Sequence, residues 1–200
     1  MVMKRRNIAA FDFDGTLTTR DSFPAFIRFA VGVPRFLAGF LLYSPLLVLM
    51  KLRLYPGDKA KEKVFSFFFK GWEYGRFKAL GSAFASEIED MRNEPVISRL
   101  QEHIAHGDTV YVISASIRDW VEPWSLQQGV HAVLATEVEV DADGRLTGRF
   151  STRNCNGEEK VNRLLQVEPR RDSYALAAYG DSRGDEPLLA LADTGIKISQ

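Results

Sequence analysis

Four short stretches of the chain carry side chains that could act together on a phosphate. Asp12 and Asp14 stand two residues apart in FDFDGTLT, at the end of an apolar run and just before Gly15. On an extended strand, residues two apart face the same side. Gly15 allows the chain to turn sharply there, so the carbonyl of Asp14 can face the same place as the two carboxylates. Clustered carboxylates suit a hard cation with oxygen ligands. Mg²⁺ in such a place would bridge protein carboxylate and phosphate oxygen. It would offset the repulsion between an anionic nucleophile and an anionic phosphate. Ser114, in VISAS, ends a second apolar run and opens a loop, where its hydroxyl and nearby N–H groups can hold phosphate oxygens. Lys160, in GEEK, offers a positive charge. Asp181 and Asp185, in YGDSRGDEP, add two more acids after a third apolar run. Alone, each piece has a plainer reading: DxDG as a turn or calcium-type loop, Ser114 as a helix cap, Lys160 as a solvated lysine. The set and its order give them meaning.

Positioning these groups needs strands that end at one edge. Ile8 to Phe13, Val110 to Ile113, Ala132 to Ala135, Tyr174 to Tyr179 and Ile196 to Ile198 read as short buried strands. Helices are predicted to open at Pro95 and end near Gly107, and over Ile117–Gln128, Glu158–Gln166 and Glu186–Ala192. Residues Glu137 to Phe150 alternate around Asp143-Gly144 and predict a β-hairpin. Strand and helix alternate at both ends of the chain, which predicts an α/β fold with a Rossmann-like, mainly parallel sheet. Ligands of such sheets bind beyond the carboxyl ends of the strands, so Asp12/Asp14, Ser114 and Asp181 are expected to converge. The middle is different. Ser22 is positioned to cap a helix with Pro24 in its first turn. Pro34 interrupts, and residues 58–92 look helical, with breaks at Gly71 and Gly75. The expected division is a core of residues 1–16 and 95–200 and an inserted helical cap of residues 17–94.

FDFDGTLT, VISAS, a lone lysine and GDSRGD, in that order, resemble the motifs of the haloacid dehalogenase-like superfamily. SAS, the predicted hairpin and the ending ADTGIKIS resemble its phosphoserine phosphatase-like subclass, IB. The resemblance implies an α/β core with a cap inserted after the first strand. It also implies a Mg²⁺-dependent phosphatase working through an aspartyl-phosphate. Asp12 would be the nucleophile and a metal ligand. Asp14 would be the general acid/base, its carbonyl a metal ligand. Ser114 and Lys160 would bind phosphate. Asp181 would ligate Mg²⁺ and Asp185 would support the metal shell. Asp21 lies nine residues after Asp12, where phosphoserine phosphatases place a substrate-contacting glutamate; it could equally cap the helix that follows.

Bulk properties narrow the partners. The chain has 200 residues, 46% apolar and 26% charged. That is enough for one packed domain carrying an insertion. Net charge is zero, which argues against nucleic acid as a partner. With Cys155 the single cysteine, a cysteine-rich metal site and an intramolecular disulfide are excluded. His103, His106 and His131 lack metal-ligand spacing. Asp12 and Asp14 interrupt the first apolar run before a signal-peptide core could form, so a cytoplasmic location is expected. Charge is unevenly spread: residues 28–78 hold ten Lys or Arg against three acids, and 11 of the 14 Phe lie between Phe23 and Phe84. Residues 36–50 carry no charge. As a helix that run would span roughly 22 Å, short of a bilayer core of roughly 30 Å, and Pro45 would kink it. A hydrophobic hairpin or interfacial helix pair is expected instead, giving peripheral contact with the cytoplasmic membrane face. The layout also resembles the phosphatidylglycerophosphatase C type, which pairs these motifs with an apolar segment, so a lipid phosphate such as phosphatidylglycerophosphate is one expected substrate. A small soluble metabolite resembling phosphoserine is the other. A signalling domain that only accepts a phosphoryl group, or a membrane-associated binding protein without catalysis, are the non-enzymatic alternatives.

Overall fold

The computed structural model describes residues 5–52 and 54–199. The first residues of the basic start and the charge of Arg53 lie outside them. Five parallel strands form one sheet in the order β3-β2-β1-β6-β7, from β1 (Arg6–Phe11), β2 (Thr109–Ile117), β3 (Ala132–Thr136), β6 (Tyr174–Gly180) and β7 (Thr194–Lys197). The central strand β1 is buried on both faces, as a parallel sheet covered by helices requires. Ala9 and Phe11 face one apolar cluster, and Ile8 and Ala10 face another. The second cluster includes Leu164 of α8 (Glu158–Val167) and Leu188 of α9 (Glu186–Leu191). The first includes α6 (Glu94–Ala105), α7 (Arg118–Gln127) and most of the helical middle.

That middle is α1 (Ser22–Val31), α2 (Val33–Lys51), α3 (Gly57–Phe69), α4 (Tyr74–Ala83) and α5 (Ala85–Glu89). The chain leaves the sheet and returns to it by two crossings bonded to each other. Thr19 N–H donates to the Met91 carbonyl at 2.7 Å, and Asn93 N–H to the Leu17 carbonyl at 2.9 Å. Asp21, not Ser22, caps α1, its Oδ1 accepting from Phe23 N–H at 2.9 Å. The hairpin of β4 (Val138–Val140) and β5 (Leu146–Phe150) grips the helices from the other side. Phe150 lies 5.3 Å from Phe65, and its N–H donates to the Glu62 carboxylate at 3.1 Å.

Two expectations about elements are corrected. Ser114 does not end its strand: β2 runs on to Ile117, with a register irregularity against β3 between the two. Residues 36–50 are neither a hairpin nor a pair but the body of one 19-residue helix, α2. At the usual rise per residue α2 is about 28 Å long. Pro34 sits in its first turn, where proline is tolerated. Pro45 lies inside and cannot donate to the Leu41 carbonyl one turn back. The Ser44 hydroxyl donates to that oxygen instead, at 2.8 Å. The Leu41 carbonyl is thereby paired although Pro45 offers it no N–H.

Candidate active site

Asp12 follows the last residue of β1, and its N–H donates to the Tyr179 carbonyl of β6 at 2.9 Å. Its carboxylate is buried beneath the C-terminal edge of the sheet. Lys160, in the first turn of α8, is only 2% exposed, and its Nζ lies 2.5 Å from both Asp12 Oδ1 and Asp185 Oδ1. A buried ammonium between two buried carboxylates is the arrangement that makes such burial tolerable. The Ser182 N–H and hydroxyl donate to the other Asp185 oxygen at 3.0 and 2.7 Å, fixing that carboxylate. Oxygens of Asp12, Asp181 and Asp185 lie within 4.8 Å of one another.

The electrostatics differ from acid to acid. Burial pushes Asp12 up to about 7, helped by the charges of Asp185 and Asp14 and opposed by Lys160. Burial also raises Asp181, with Asp185 adding to it. Asp185 is buried too, but Lys160 and Ser182 outweigh that and hold it below the usual carboxylate range. Lys160 is raised: burial works against its charge, and the attraction of Asp12 and Asp185 overcomes it.

Asp14 sits past the turn, where Gly15 takes a positive φ of 81°. Glycine meets no Cβ penalty in that conformation. The Asp14 carboxylate is held from two sides. Ser22 N–H donates to its Oδ1 at 2.7 Å, and the Ser116 hydroxyl donates to its Oδ2 at 2.5 Å. Behind Ser116 the bonds continue: the Ser22 hydroxyl meets Ser116 Oγ at 3.2 Å, and Trp120 Nε1–H donates to Ser22 Oγ at 3.1 Å. Ser114 is fully buried, and its Oγ accepts from Ser116 N–H at 2.9 Å. Asp21 lies within electrostatic reach of Asp14 and Lys61. Its pKa is raised by burial and by Asp14, with Lys61 opposing. Lys61 reaches down from α3, donating to the Ala115 carbonyl at 2.9 Å and lying 5.0 Å from the Phe23 ring centre. Burial lowers its pKa, against the pull of Asp14, Asp21 and Asp12.

The structure thus brings Asp12, Lys160, Asp181 and Asp185 together, and sets Asp14 and Asp21 within electrostatic reach. It adds Ser116 and Lys61, which sequence reasoning missed. Ser116 had a usable signal, since it is two residues from Ser114 and so shares its side of the strand. Lys61 had none, being one of three alternating lysines; Lys59 and Lys63 stay in solvent. The donor set fits Mg²⁺: three carboxylates with oxygens close together and no nitrogen or sulfur ligand among them.

A family model described as haloacid dehalogenase-like hydrolase matches residues 9–190. The chain belongs to the haloacid dehalogenase-like hydrolase family. Its relatives include Protein CicA of Caulobacter vibrioides strain NA1000, 34% identical over 187 residues that cover 93% of this chain and 83% of CicA. Among solved structures, a Bordetella pertussis Tohama I protein of unknown function superposes with a TM-score of 0.80 at 24% identity, covering 94% of this chain and 87% of that one. A phosphoserine phosphatase carrying an analogue of its phospho-aspartyl intermediate superposes with a TM-score of 0.66 at 20% identity, over 98% and 87% of the two chains. These likenesses extend the haloacid dehalogenase-like α/β fold beyond its motifs, across nearly the whole chain.

Proposed function

We propose that this hydrolase is a Mg²⁺-dependent phosphomonoesterase that works through an aspartyl-phosphate on Asp12. The observation carrying this reading is the setting of Asp12: buried, 2.5 Å from the Lys160 ammonium, with oxygens of Asp181 and Asp185 close by. Asp12, the Asp14 carbonyl and Asp181 would hold Mg²⁺, with Asp185 supporting them. The ion would supply the charge that lets an anionic carboxylate approach an anionic phosphate.

In this reading an Asp12 oxygen forms a bond to phosphorus while the bond from phosphorus to the leaving oxygen breaks. Asp14 gives that oxygen its proton. Asp14 then takes a proton from water, whose oxygen attacks phosphorus and breaks its bond to Asp12, releasing phosphate. Ser116 suits this exchange, because a hydroxyl can donate to the ionised Asp14 and accept from the protonated one. Ser114 and Lys160 hold phosphate oxygens. Residues 17–94 act as a cap inserted in a core of residues 1–16 and 95–200, and choose what lies beyond the phosphate. Asp21 and Lys61 are the charged groups that the cap side offers there.

Two substrate classes follow from different features. The apolar, basic character of residues 23–78 favours a lipid phosphate, such as phosphatidylglycerophosphate, reached from a membrane surface. The facing charges of Asp21 and Lys61 favour a small zwitterionic phosphoester resembling phosphoserine. A phosphate-release screen across lipid phosphates, phosphoserine, sugar phosphates and nucleotides, with and without Mg²⁺, separates them. Asp12→Asn is expected to abolish turnover of whichever substrate is found. Retention of Mg²⁺-dependent turnover by that variant would sink the mechanism. A phosphoryl adduct that forms without turnover would instead favour a phospho-acceptor domain.

A further inference from the structure

Helix α2 has two unlike faces. Phe36, Phe40, Tyr43 and Leu47, spaced as one helical stripe, pack against the shared core. Phe40 lies 6.3 Å from Phe68 and Tyr43 lies 5.2 Å from Phe67, both on α3. The opposite face is aliphatic and bare. Leu41 is 77% exposed, Leu42 64% and Leu37 58%, with Val48 and Leu49 beyond them and Leu52 and Leu54 continuing the patch past the helix. Of the twelve large hydrophobic residues exposed among the described residues, ten lie between Phe29 and Phe67. So much apolar surface gathered in one place marks a contact surface.

The geometry points to a membrane surface carrying anionic lipids as the occupant of this face, with α2 lying in the plane of the headgroup boundary. Three features carry the choice. First, no charge interrupts α2 between Arg35 and Lys51, and exposed Arg28, Arg35, Lys51, Lys59 and Lys63 lie on it or on its neighbours α1 and α3, outnumbering the exposed Asp58 and complementing anionic headgroups. Second, the aromatic stripe is already bound to α3, so the helix lies along a bilayer rather than through it. Third, the backbone is prepared for apolar surroundings, since the carbonyl that Pro45 would leave unpaired is taken by the Ser44 hydroxyl. A second copy of this chain fits less well. A two-fold pairing of α2 helices would bring basic ends against basic ends. The placement also bears on the proposed phosphatase: α2 itself and then α3, which carries Lys61, stand between the patch and the site.

The surface asks nothing of the chemistry at Asp12, so it is tested without activity. The full chain is sedimented with phosphatidylcholine vesicles, and with vesicles in which part of that lipid is replaced by phosphatidylglycerol. Binding is expected to the mixed vesicles and to be weaker to phosphatidylcholine alone. The double variant Leu41→Glu, Leu49→Glu is expected to lose about tenfold or more of the binding while keeping its melting temperature. Binding to neither vesicle, or equal binding by the variant, would overturn the proposal. So would a wild-type dimer that ignores vesicles and that the double variant converts to monomer.

Discussion

A carboxylate that attacks phosphorus, as proposed for Asp12, must be ionised, and Asp12 is held where ionisation is disfavoured. Its pKa rises from 3.8 to about 7 because burial strips it of water. The metal-free folded chain therefore keeps a proton on Asp12 at pH values where the unfolded chain has lost it. Stability from this group consequently falls as pH rises through that interval, and the loss is complete above about 7. A shift of that size corresponds to roughly 4 kcal/mol. Asp12→Asn removes the charge and leaves Lys160 paired with Asp185. In the presence of a chelator the variant is expected to melt above the wild type at about pH 8, the gap closing as pH falls towards about 4. A bound cation favours ionised acids, so Mg²⁺ is expected to raise the wild-type melting temperature more at about pH 8 than at about pH 5.5. A variant that melts lower than wild type at the higher pH, with chelator, would show that burial of this charge is not the dominant cost. Asp12, Asp14 and Asp181 were legible because they follow strand ends, which are marked by apolar runs turning polar; Lys160, in the first turn of α8, was marked only by its place in the order of the motifs. Lys61 was not legible, because alternation along a helix does not say which of three lysines turns inward; tertiary packing decides that.

At the level of elements, apolar runs with polar ends marked most strands and the hairpin to within a few residues. The misreadings have local causes. Pro34 and Pro45 look like breaks, yet one sits in the first turn of α2 and the other is rescued by Ser44. Ser114 looks like a strand end, yet the irregularity beside it lets β2 continue to Ile117. Contact between α2 and α3 depends on Gly39. A Cβ there would stand 2.2 Å from Phe68 Cζ and 2.8 Å from Phe67 Cε1. Phe68 is buried and has little room to move. Gly39→Ala gains roughly 1 kcal/mol of helix propensity, but crowding of this kind costs roughly 1–3 kcal/mol. The expected net result in urea unfolding is a loss of about 1 kcal/mol, with α2 pushed off α3. Gly75→Ala is the control. The nearest atom there is the end of the Glu73 side chain, in solvent, so that variant is expected to be neutral or stabilising. Equal effects of the two would mean that α2 does not rest on α3 through Gly39.

Taken as a whole, the molecule divides by charge and by sequence but not by packing. Residues 28–78 are strongly basic and the remainder is correspondingly acidic, so net charge conceals two regions of opposite sign. The proposed cap and core boundaries follow that contrast and the paired crossings near residues 17–19 and 91–93. The hydrophobic interior ignores them. Phe26 of α1 stacks on Trp120 of α7 with ring centres 4.4 Å apart, and Phe65, Phe77 and Phe84 share one apolar cluster with Ala9 and Phe11 of β1. Helices whose buried face is completed by the sheet side cannot keep their packing when separated from it. The excised segment 17–94 is therefore expected not to fold. In the full chain, loss of helix and loss of core packing are expected to coincide in one transition. A Trp72→Phe variant makes this measurable, because it leaves tryptophan emission only from Trp120 and Trp124, beneath the cap. Far-UV circular dichroism is weighted instead towards the many helices of the insertion. Coincident urea midpoints by the two signals are the expected result. Helix lost at lower urea than the Trp120 and Trp124 signal would mean that the insertion unfolds by itself, with the stack of Phe26 on Trp120 contributing little to holding the two parts together.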